Sequence, residues 1–518
     1  MRLFLLLSTF ITSITFAQDP NIIWQKTIGG SNSDYLTNIL HTLDGGLLIG
    51  GNSTSDISGD KTEDSIGGDD IWIVKLNSSG DIDWQNTIGG NDDDHLNDII
   101  ISNGGGYLIA STSESNISGD KTEDSQGGKD YWIIKLNESG NIEWQNTIGG
   151  DDYDYLNEIT QTSDGGFLLA GSSGSGISGD RTEPQNGSND YWFVKVNNDG
   201  SIAWQYAYGY GNYVTLTSLI QTNDGAFMTG GIFDAGGIGN SLYYILKISN
   251  SGNYLTDSFY GGSHDDRLIE IIQTSDNGFI LLGFSDSDIS GDKTENSMGS
   301  FDYWVIKLNS NYEIEWQNTI GGNSADGCQS IVDSAEGGYF IAGYSYSNSS
   351  GDKTEDNNGG EGTDYWVVKI NDVGIIEWQN SIGGFGAERI PYTLQNPDGS
   401  YLIAGTSGSD ISGDKTENSR GGFDYWIVKH EQILGVSEND LSIIINIYPN
   451  PVQDELQINS MNQEIDLIKI YNVSGQLLMT EKGVSETSSI NVSNLASGEY
   501  FIQFHSGKKI ALKKFIKQ

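Results

Sequence analysis

Two tryptophan motifs recur along residues 22–429 and constrain the fold of this chain more than any other feature. The first motif is WQNTIGG or a close variant, beginning at Trp24, Trp84, Trp144, Trp204, Trp316 and Trp378. The second is DYW or DIW followed by two apolar residues and a lysine, with its tryptophan at Trp72, Trp132, Trp192, Trp304, Trp366 and Trp426. A degenerate fourth copy has Tyr244 and Thr256 at the two places, so the sequence contains seven repeats. Self-similarity of this kind indicates a repeat architecture.

Each repeat divides into four short segments, as residues 156–210 illustrate. LNEITQT and FLLAGSS flank the turn SDGG at 163–166, DYWFVKV follows a polar loop, and IAWQYAYG follows a second turn. Asp-Gly and Gly-Gly supply the positive φ angles that tight hairpins need. No segment keeps the 3.6-residue apolar period of a helix. Four antiparallel strands per repeat therefore predict an all-β chain with a seven-bladed β-propeller at residues 18–430.

The two ends of the repeat array predict that the propeller closes on itself. The first repeat begins with a lone fourth strand at 22–28, and the last one stops after its third strand at Lys429. We expect the N-terminal strand to complete the last blade, with Trp24 beside Trp426, because this pairing removes an open edge. The tryptophans are interpreted as core between blades, with ligand stacking as the alternative. The strand order resembles that of kelch propellers, and the repeat sequence resembles the propeller repeats of secreted bacterial proteins. Both resemblances concern fold rather than function.

The N-terminus has the pattern of a secretory signal peptide. Arg2 precedes the apolar run at 3–7, and a small-residue site ends at Ala17. This predicts a signal peptide at 1–17 with cleavage after Ala17, and therefore an exported, soluble mature protein. No later segment approaches the roughly 20 apolar residues that a transmembrane helix needs, so no transmembrane segment is expected.

The C-terminal residues form a separate predicted domain. After a predicted linker at 431–445, residues 446–518 show alternating segments broken by Asn and Gly, which predicts a small all-β sandwich. The charge changes as well: this segment has seven acids and seven lysines, whereas the whole chain carries a net charge of −45. The acidic propeller is thus a poor partner for nucleic acid, whose phosphates it would repel.

Short motifs in this segment carry a family resemblance. Its motif residues are Tyr448, Pro449, Asn450, Pro451, Gly475, Gly498, Tyr500, Lys513 and Lys514. In this order they resemble the type A C-terminal sorting domain of the type IX secretion system of Bacteroidetes. The resemblance implies translocation by that machinery, removal of the domain by a sortase-like peptidase, and attachment to surface lipopolysaccharide or release. An ordinary β-sandwich adhesion module is the alternative.

An acidic loop between the second and third strands repeats almost verbatim as ISGDKTED or a close variant. Its acids alternate with other oxygen-bearing side chains, a spacing that can wrap calcium, although the EF-hand pattern is absent. The candidate calcium ligands are Asp60, Asp64, Asp120, Asp124, Asp292, Asp352, Asp356 and Asp414. The alternative is that these side chains hydrogen-bond to order a long surface loop. No other cofactor is indicated.

The sequence shows no catalytic constellation. Its five histidines do not recur with the repeat, and the lone Cys328 excludes an intramolecular disulfide framework. The degenerate fourth repeat lacks the long loop, and we weigh an aromatic cleft there against simple drift; its lining would be Tyr208, Tyr210, Tyr213, Phe233 and Tyr243. The expected function is a secreted or surface-attached, non-enzymatic propeller that binds a protein, glycan or cation through its loop face. The alternatives are a secreted hydrolase or lyase acting on polysaccharide and a structural surface-layer component.

Overall fold

The computed structural model describes residues 21–431 except 210, 235, 237–238 and 360–361, and residues 446–518 except 460–464, 473–476, 485–486 and 507–508. These residues belong to two compact units, one within 1–432 and one within 433–518. The predicted signal peptide lies outside the described residues, and so does the predicted linker except Glu431. Within the described ranges, no helix is long and apolar enough to span a membrane.

The first unit consists of seven antiparallel sheets of four strands, which we call blades 1 to 7. The strands of each blade are called A to D, and the A strands of successive blades contact one another in a closed ring. The fold is therefore a seven-bladed propeller, as predicted, with strand A nearest the axis.

The first strand of the chain is β1 (Ile22–Ile28), and it is strand D of blade 7. Blade 1 contains β2 (Asp34–His41), β3 (Leu47–Ser53), β4 (Asp70–Leu76) and β5 (Ile82–Ile88). Blade 2 contains β6 (Asp94–Ile101), β7 (Tyr107–Ser113), β8 (Asp130–Leu136) and β9 (Ile142–Ile148). Blade 3 contains β10 (Asp154–Gln161), β11 (Phe167–Ser173), β12 (Asp190–Val196) and β13 (Ile202–Tyr208). Blade 4 contains β14 (Val214–Gln221), β15 (Phe227–Asp234), β16 (Ser241–Ile248) and β17 (Tyr254–Tyr260).

The remaining blades follow the same plan. Blade 5 contains β18 (Asp266–Gln273), β19 (Phe279–Ser285), β20 (Asp302–Leu308) and β21 (Ile314–Ile320). Blade 6 contains β22 (Asp326–Asp333), β23 (Tyr339–Ser345), β24 (Asp364–Ile370) and β25 (Ile376–Ile382). Blade 7 contains β26 (Glu388–Gln395), β27 (Tyr401–Ser407) and β28 (Asp424–His430), and β1 completes it.

The ring closes by pairing of β1 with β28, which confirms the predicted closure. The register differs from the expected one, because Trp24 lies opposite Lys429 and Thr27 lies opposite Trp426. The expectation that Trp24 would lie beside Trp426 was therefore wrong. In an antiparallel pair the first residues of one strand meet the last residues of the other, so the two tryptophans come to lie at different heights.

Aromatic residues of strand C join neighbouring blades. The ring of Tyr425 in blade 7 lies 5.1 Å from that of Trp72 in blade 1, and its hydroxyl donates to the Trp72 carbonyl at 3.2 Å. The same ring contact recurs at Tyr131–Trp192, Tyr243–Trp304, Tyr303–Trp366 and Tyr365–Trp426. The strand C tryptophans are fully buried, and each gives about 4–6 kcal/mol of gross apolar burial as an upper bound. These tryptophans form core between blades, as interpreted from the sequence.

The second unit consists of two sheets that share one core. One sheet contains β29 (Asn446–Tyr448), β30 (Glu455–Asn459) and β33 (Thr487–Asn491). The other contains β31 (Ile465–Asn472), β32 (Leu477–Val484), β34 (Gly498–Ser506) and β35 (Lys509–Lys517). Leu456 of the first sheet and Ile470 and Phe504 of the second are buried in the same apolar cluster. This is the sandwich arrangement that the sequence predicted.

Candidate functional site

The acids of the repeated loop accept hydrogen bonds from backbone N–H groups. In blade 1, Asp60 accepts from Gly29 N at 3.3 Å, and Asp64 accepts from Ile57 N at 3.0 Å. Asp60 also forms an ion pair with Arg420 of blade 7 at 3.1 Å. Both candidate calcium ligands of this blade therefore already hold the loop together.

The same bonds recur around the ring. The equivalents of Asp60 that accept a glycine N–H are Asp120, Asp180, Asp292, Asp352 and Asp414. Asp124 and Asp356 accept as Asp64 does, and the neutral Asn296 and Asn418 make the same bond in blades 5 and 7. The position of Asp64 thus requires an acceptor oxygen rather than a charge. No three His, Cys, Asp or Glu side chains are arranged to hold a metal ion in the part of the chain that the structure describes, and calcium binding stays a prediction.

Beneath the loops lies a ring of buried charged residues, which we call the charge ring. In blade 1 it comprises Asp34 at the start of strand A, Lys61 of the loop and Asp70 at the start of strand C, with 0%, 2% and 0% of each residue exposed. Lys61 Nζ donates to Ser53 Oγ at 3.0 Å and to the Ser55 carbonyl at 2.7 Å. The other members are Asp94, Lys121, Asp130, Asp154, Arg181, Asp190, Asp266, Lys293, Asp302, Asp326, Lys353, Asp364, Glu388, Lys415 and Asp424.

Several pKa values within the charge ring are shifted toward the neutral forms. Burial raises the pKa of Asp154 and Asp326 to about 6. Burial, with a contribution from the neighbouring Glu388, raises the pKa of Asp364 to about 7. Burial also lowers the pKa of Lys121 to about 8. The repulsion expected among these carboxylates is therefore reduced by the buried cations and, at mildly acidic pH, by protonation of the acids whose pKa is raised.

The Gly-Gly pair of each repeat makes room for this ring. A Cβ atom on Gly89 would lie 2.0 Å from Asp70 Oδ1, and one on Gly90 would lie 2.5 Å from Ser115 Cβ. Gly90 N also donates to Asp94 Oδ2 at 2.6 Å. The glycines and the acids of the repeat are thus parts of a single buried arrangement.

The charge ring is interrupted in blade 4. Val214 and Leu242 occupy the two acid positions there, and Phe233 occupies the position of a buried serine. The phenyl ring of Phe233 packs against that of Phe259 at 4.9 Å. An apolar cluster therefore replaces the buried charges in this blade.

The aromatic cleft considered for blade 4 is not formed as expected. Tyr243 is fully buried and donates its hydroxyl to the Trp304 carbonyl at 2.9 Å, so it cannot line a cleft. Tyr208 donates to the Gly252 carbonyl at 2.5 Å, whereas Tyr213 is 50% exposed. Tyr210 lies outside the described residues.

A cavity of about 460 Å³ lies on the axis between the A strands. Its lining is mostly hydroxyl, amide and carboxyl side chains, including Thr37, Asn97, Asn157, Glu158, Thr217, Ser218, Glu270, Gln329, Ser330 and Tyr392. A β-bulge in strand A, as between Leu156 and Glu158, lets two consecutive residues, Asn157 and Glu158, line this cavity. These residues are not evident from the sequence, because an unbroken alternation along strand A would turn only one residue of each consecutive pair toward the axis.

Burial raises the pKa values of the carboxyl groups in and beside the cavity. The carboxyl groups of Asp98 and Glu158 are hydrogen-bonded to each other, and burial together with Asp98 raises the pKa of Glu158 well above its usual value. Burial raises the pKa of Glu270 to about 8, and Glu270 accepts from Ile331 N at 2.7 Å. The cavity is therefore polar without being strongly anionic.

The mouth of this cavity carries the second residue of each A strand. This residue is two positions nearer the loop end than the residue that lines the cavity, or about 7 Å at the rise of a strand. The residues at this position are Tyr35, His95, Tyr155, Thr215, Arg267, Gly327 and Arg389. The repeat therefore loses its regularity at the mouth.

Two arginines and three aromatic rings meet at the side of the mouth formed by blades 5 to 7. The guanidinium of Arg267 lies 5.5 Å from the ring of Phe301, and that of Arg389 lies 4.9 Å from the ring of Phe423. Between them, Tyr344 occupies the space above Gly327, where a Cβ atom would lie 2.6 Å from Tyr344 Cζ. Burial raises the pKa of Tyr344, and the charges of both arginines oppose that rise. We call Arg267, Phe301, Tyr344, Arg389 and Phe423 the arginine–aromatic mouth.

The sequence contained a signal for this site that was not used. The chain has five arginines, and two of them stand at the same repeat position in a strongly acidic protein. They do not belong to the repeated motifs, because each replaces the usual residue in a single blade.

The sorting-motif residues connect the start of the second unit to its last strand. Asn450 accepts from Ile516 N at 2.9 Å and donates through its amide to the Lys514 carbonyl at 3.2 Å. Val452 N donates to the Ile516 carbonyl at 2.8 Å. Tyr500 donates to the Ala496 carbonyl at 2.8 Å. The motif therefore has a structural role in joining the two ends of this unit.

The remaining motif residues are placed as follows. Tyr448 is 48% exposed, Pro449, Pro451, Gly498 and Lys514 are also exposed, and Lys513 is half-buried. Gly475 lies outside the described residues.

Comparison with known proteins gives a family for the second unit only. Residues 446–518 match the family described as "Secretion system C-terminal sorting domain". No curated protein matches the chain. With its sorting domain, the chain is marked for export to the cell surface or the medium by the type IX secretion machinery.

Solved structures with similar folds have low identity. A protein of unknown function from Dyadobacter fermentans is 11% identical, with 80% of this chain and 99% of that chain covered and a TM-score of 0.42. PorZ, a surface component of the type IX secretion system of Porphyromonas gingivalis, is 11% identical, with 96% and 75% covered and a TM-score of 0.33. The Pan2 WD40 domain of Neurospora crassa is 10% identical, with 81% and 98% covered and a TM-score of 0.43. At these values the likenesses carry no statement about function.

Proposed function

We propose that this protein is an exported, non-enzymatic binding protein whose propeller holds a ligand at the arginine–aromatic mouth. The observation that carries the proposal is the contrast between the mouth and the rest of the loop end. The loop acids are engaged in internal hydrogen bonds, whereas Arg389 is exposed, its four mouth neighbours are half-buried, and these positions differ from blade to blade. Exposed side chains with no role in the repeat are the ones available to a partner.

The acid pair formed by Glu158 of the cavity and the adjacent Asp98 fits binding better than hydrolysis. A glycosidase with two catalytic carboxyl groups holds them about 5–9.5 Å apart, so that a sugar or a water fits between them. Asp98 and Glu158 are instead hydrogen-bonded to each other. Glu270 is a protonated carboxyl in the same cavity, and the alternative of a polysaccharide hydrolase or lyase would use it as the general acid.

A glycan-array measurement with the full mature protein tests the proposal. We expect retention of at least one class of glycan, and loss of that retention in the double variant Arg267→Ala/Arg389→Ala. Release of reducing ends from the retained glycan, abolished by Glu270→Gln, would favour the enzyme instead. Retention that the double variant leaves unchanged would refute a site at the mouth.

We also propose that a sortase-like peptidase removes the sorting domain, and that the mature propeller is attached to surface lipopolysaccharide or released. This proposal rests on the sorting-domain match alone. Mass spectrometry of the protein from washed cells and from the medium tests it. The expected product lacks residues 446–518, and an intact C-terminus in both fractions would contradict it.

A further inference from the structure

We propose that the mouth and the axial cavity together bind the terminal acidic sugar of a glycan, with its anionic group on the two arginines and its hydroxyl groups in the cavity. This inference rests on the proposed function and names the class of ligand. It follows from the chemistry of the two parts of the site.

The first step is the arginine pair. A guanidinium presents parallel N–H donors that match the two oxygens of a carboxylate or sulfate group. Phe301 and Phe423 each lie under one guanidinium, and such cation–π contacts hold the planar group in one orientation. Arg267 is further held by Asp265 at 3.2 Å. Both guanidinium charges act on Tyr344, so we place a single anionic group beside Tyr344, within reach of both arginines.

The second step is the difference in partners between the two arginines. Asp265 is occupied by Ser241, whose N and Oγ donate to it at 3.1 and 2.9 Å, so Asp265 serves as a fixed support for Arg267. Arg389 is exposed, and no ion pair to it is found among the residues that the structure describes. Arg389 is therefore the arginine that is more available to bind an external anion.

The third step is the polarity of the cavity. A volume of about 460 Å³ is in the range of small-molecule sites, which run from about 300 to 1,000 Å³. Hydroxyl and amide groups such as those of Thr217, Asn157 and Gln329 line it. An apolar ligand would leave these groups without hydrogen bonds, which is costly. A sugar, which carries a hydroxyl on most carbons, would satisfy them.

The fourth step is the charge around the site. Burial raises the pKa of Glu270 to about 8 and raises that of Glu158 as well. Glu270 can therefore donate a hydrogen bond to a sugar oxygen at neutral pH without repelling the anion at the mouth. The chain as a whole carries a net charge of −45, and a long polyanion lying across the loop end would be repelled. These facts together favour binding of a single acidic sugar at the end of a glycan over binding of the interior of an acidic polysaccharide.

The test is titration calorimetry of the full mature protein with short oligosaccharides at one fixed salt concentration. The probes are an oligosaccharide ending in a uronic acid, the same oligosaccharide with that carboxyl reduced to an alcohol, and its sulfated counterpart. We expect the acidic probes to bind and the reduced probe to bind at least tenfold more weakly, because a charge-assisted bidentate pair is lost. The two acidic probes distinguish carboxylate from sulfate as the anion.

Matched variants locate the site. Arg389→Met keeps the length of the side chain but removes its charge, and it should weaken binding of the acidic probe at least tenfold. Arg420→Met removes a loop arginine paired with Asp60, away from the mouth, and should leave binding unchanged. Thermal melting of both variants verifies that each is folded.

The outcomes separate this inference from the proposed function. Equal binding of the acidic and reduced probes, or equal losses in Arg389→Met and Arg420→Met, would overturn the inference. If a neutral glycan on the array is lost in the double arginine variant, the inference fails while the proposed function stands. If no retained glycan responds to that variant, both fail.

Discussion

In a regular blade such as blade 3, Asp154, Arg181 and Asp190 are buried beneath a long loop. Blade 4 has Val214 and Leu242 at the two acid positions, and only a short connection joins its strands B and C. Both blades pair their strands in the same way. The difference teaches that the buried charges are replaced together, because any one of them left without its partners would be an uncompensated buried charge. The fold therefore requires a complete set of charges in a blade or a complete apolar set.

The largest expected effect comes from breaking one set of charges. Arg181 contacts Asp190 at 2.7 Å, and both side chains are fully buried. Arg181→Met should lower the free energy of unfolding by about 3–5 kcal/mol, because it leaves two buried acids without their cation. The triple variant Asp154→Val/Arg181→Met/Asp190→Leu copies blade 4 and should recover most of the loss. Denaturant unfolding measures both, and a triple variant no more stable than Arg181→Met would contradict the comparison.

The next effect is a pH dependence that regular blades have and blade 4 lacks. The pKa of Asp364 rises from 3.8 to about 7 in the folded protein, so the folded state binds more protons than the unfolded state between about pH 4 and 7. The free energy of unfolding should therefore fall as pH rises through this window, by about 1.4 kcal/mol per unit of pKa difference.

Melting temperatures measured from pH 4 to 8 check this dependence. Asp364→Asn should flatten the slope. A turn acid provides the opposite control: Lys75 and Thr42 lower the pKa of Asp44 to about 2, so Asp44 titrates below this window. Asp44→Asn should therefore lower the melting temperature by the same amount from pH 4 to 8 and leave the slope unchanged. A melting temperature that rises steadily from pH 4 to 8 would contradict this account.

A smaller effect is expected from filling the space that the charge ring needs. A Cβ atom on Gly149 would lie 1.8 Å from Asp130 Oδ1, whereas one on Gly176 would meet nothing within 4 Å. Gly149→Ala should cost about 1–3 kcal/mol through overpacking, and Gly176→Ala should cost much less. Thermal melting compares the stability of the two variants. Equal losses would show that the charge ring can shift to accept the added methyl group.

The smallest effect is expected where a regular loop already tolerates a neutral residue. Asp124→Asn should change the free energy of unfolding by less than about 0.5 kcal/mol, because Asn296 makes the same bond in blade 5. The calcium prediction and the hydrogen-bond alternative differ in one measurement, the melting temperature with added calcium and with a chelator. A melting temperature that rises with added calcium in the natural protein and not in Asp124→Asn would support calcium binding, and one that neither addition moves would support the alternative.

Most of the fold could be predicted because its signals are local or repeated. Turn glycines and alternating strands were enough to predict seven blades. The strand D motif at 22–28, which precedes the first complete blade, was enough to predict that the ring closes. The predicted height of Trp24 relative to Trp426 was wrong, since this height depends on the register of two strands that are far apart in the chain.

The candidate site was less accessible to sequence reasoning for physical reasons. The loop acids accept from backbone groups of other strands, as Glu63 does from Thr87 N at 2.5 Å, and no spacing in the sequence shows such donors. The cavity acids face the axis because of a bulge, which a strict alternation does not reveal. The mouth combines residues from three blades, and each of these residues departs from the residue usual at its repeat position.

The closing strand also governs the order of folding. Ile22–Ile28 is made early, yet its partner Asp424–His430 is the last strand of the propeller to be made. Closure joins residues about as far apart as the unit allows, and such contacts form slowly because a long chain must first be brought together. Until then the last blade has an unpaired outer edge, so a nascent or translocating chain cannot complete its disc before nearly the whole propeller has been delivered.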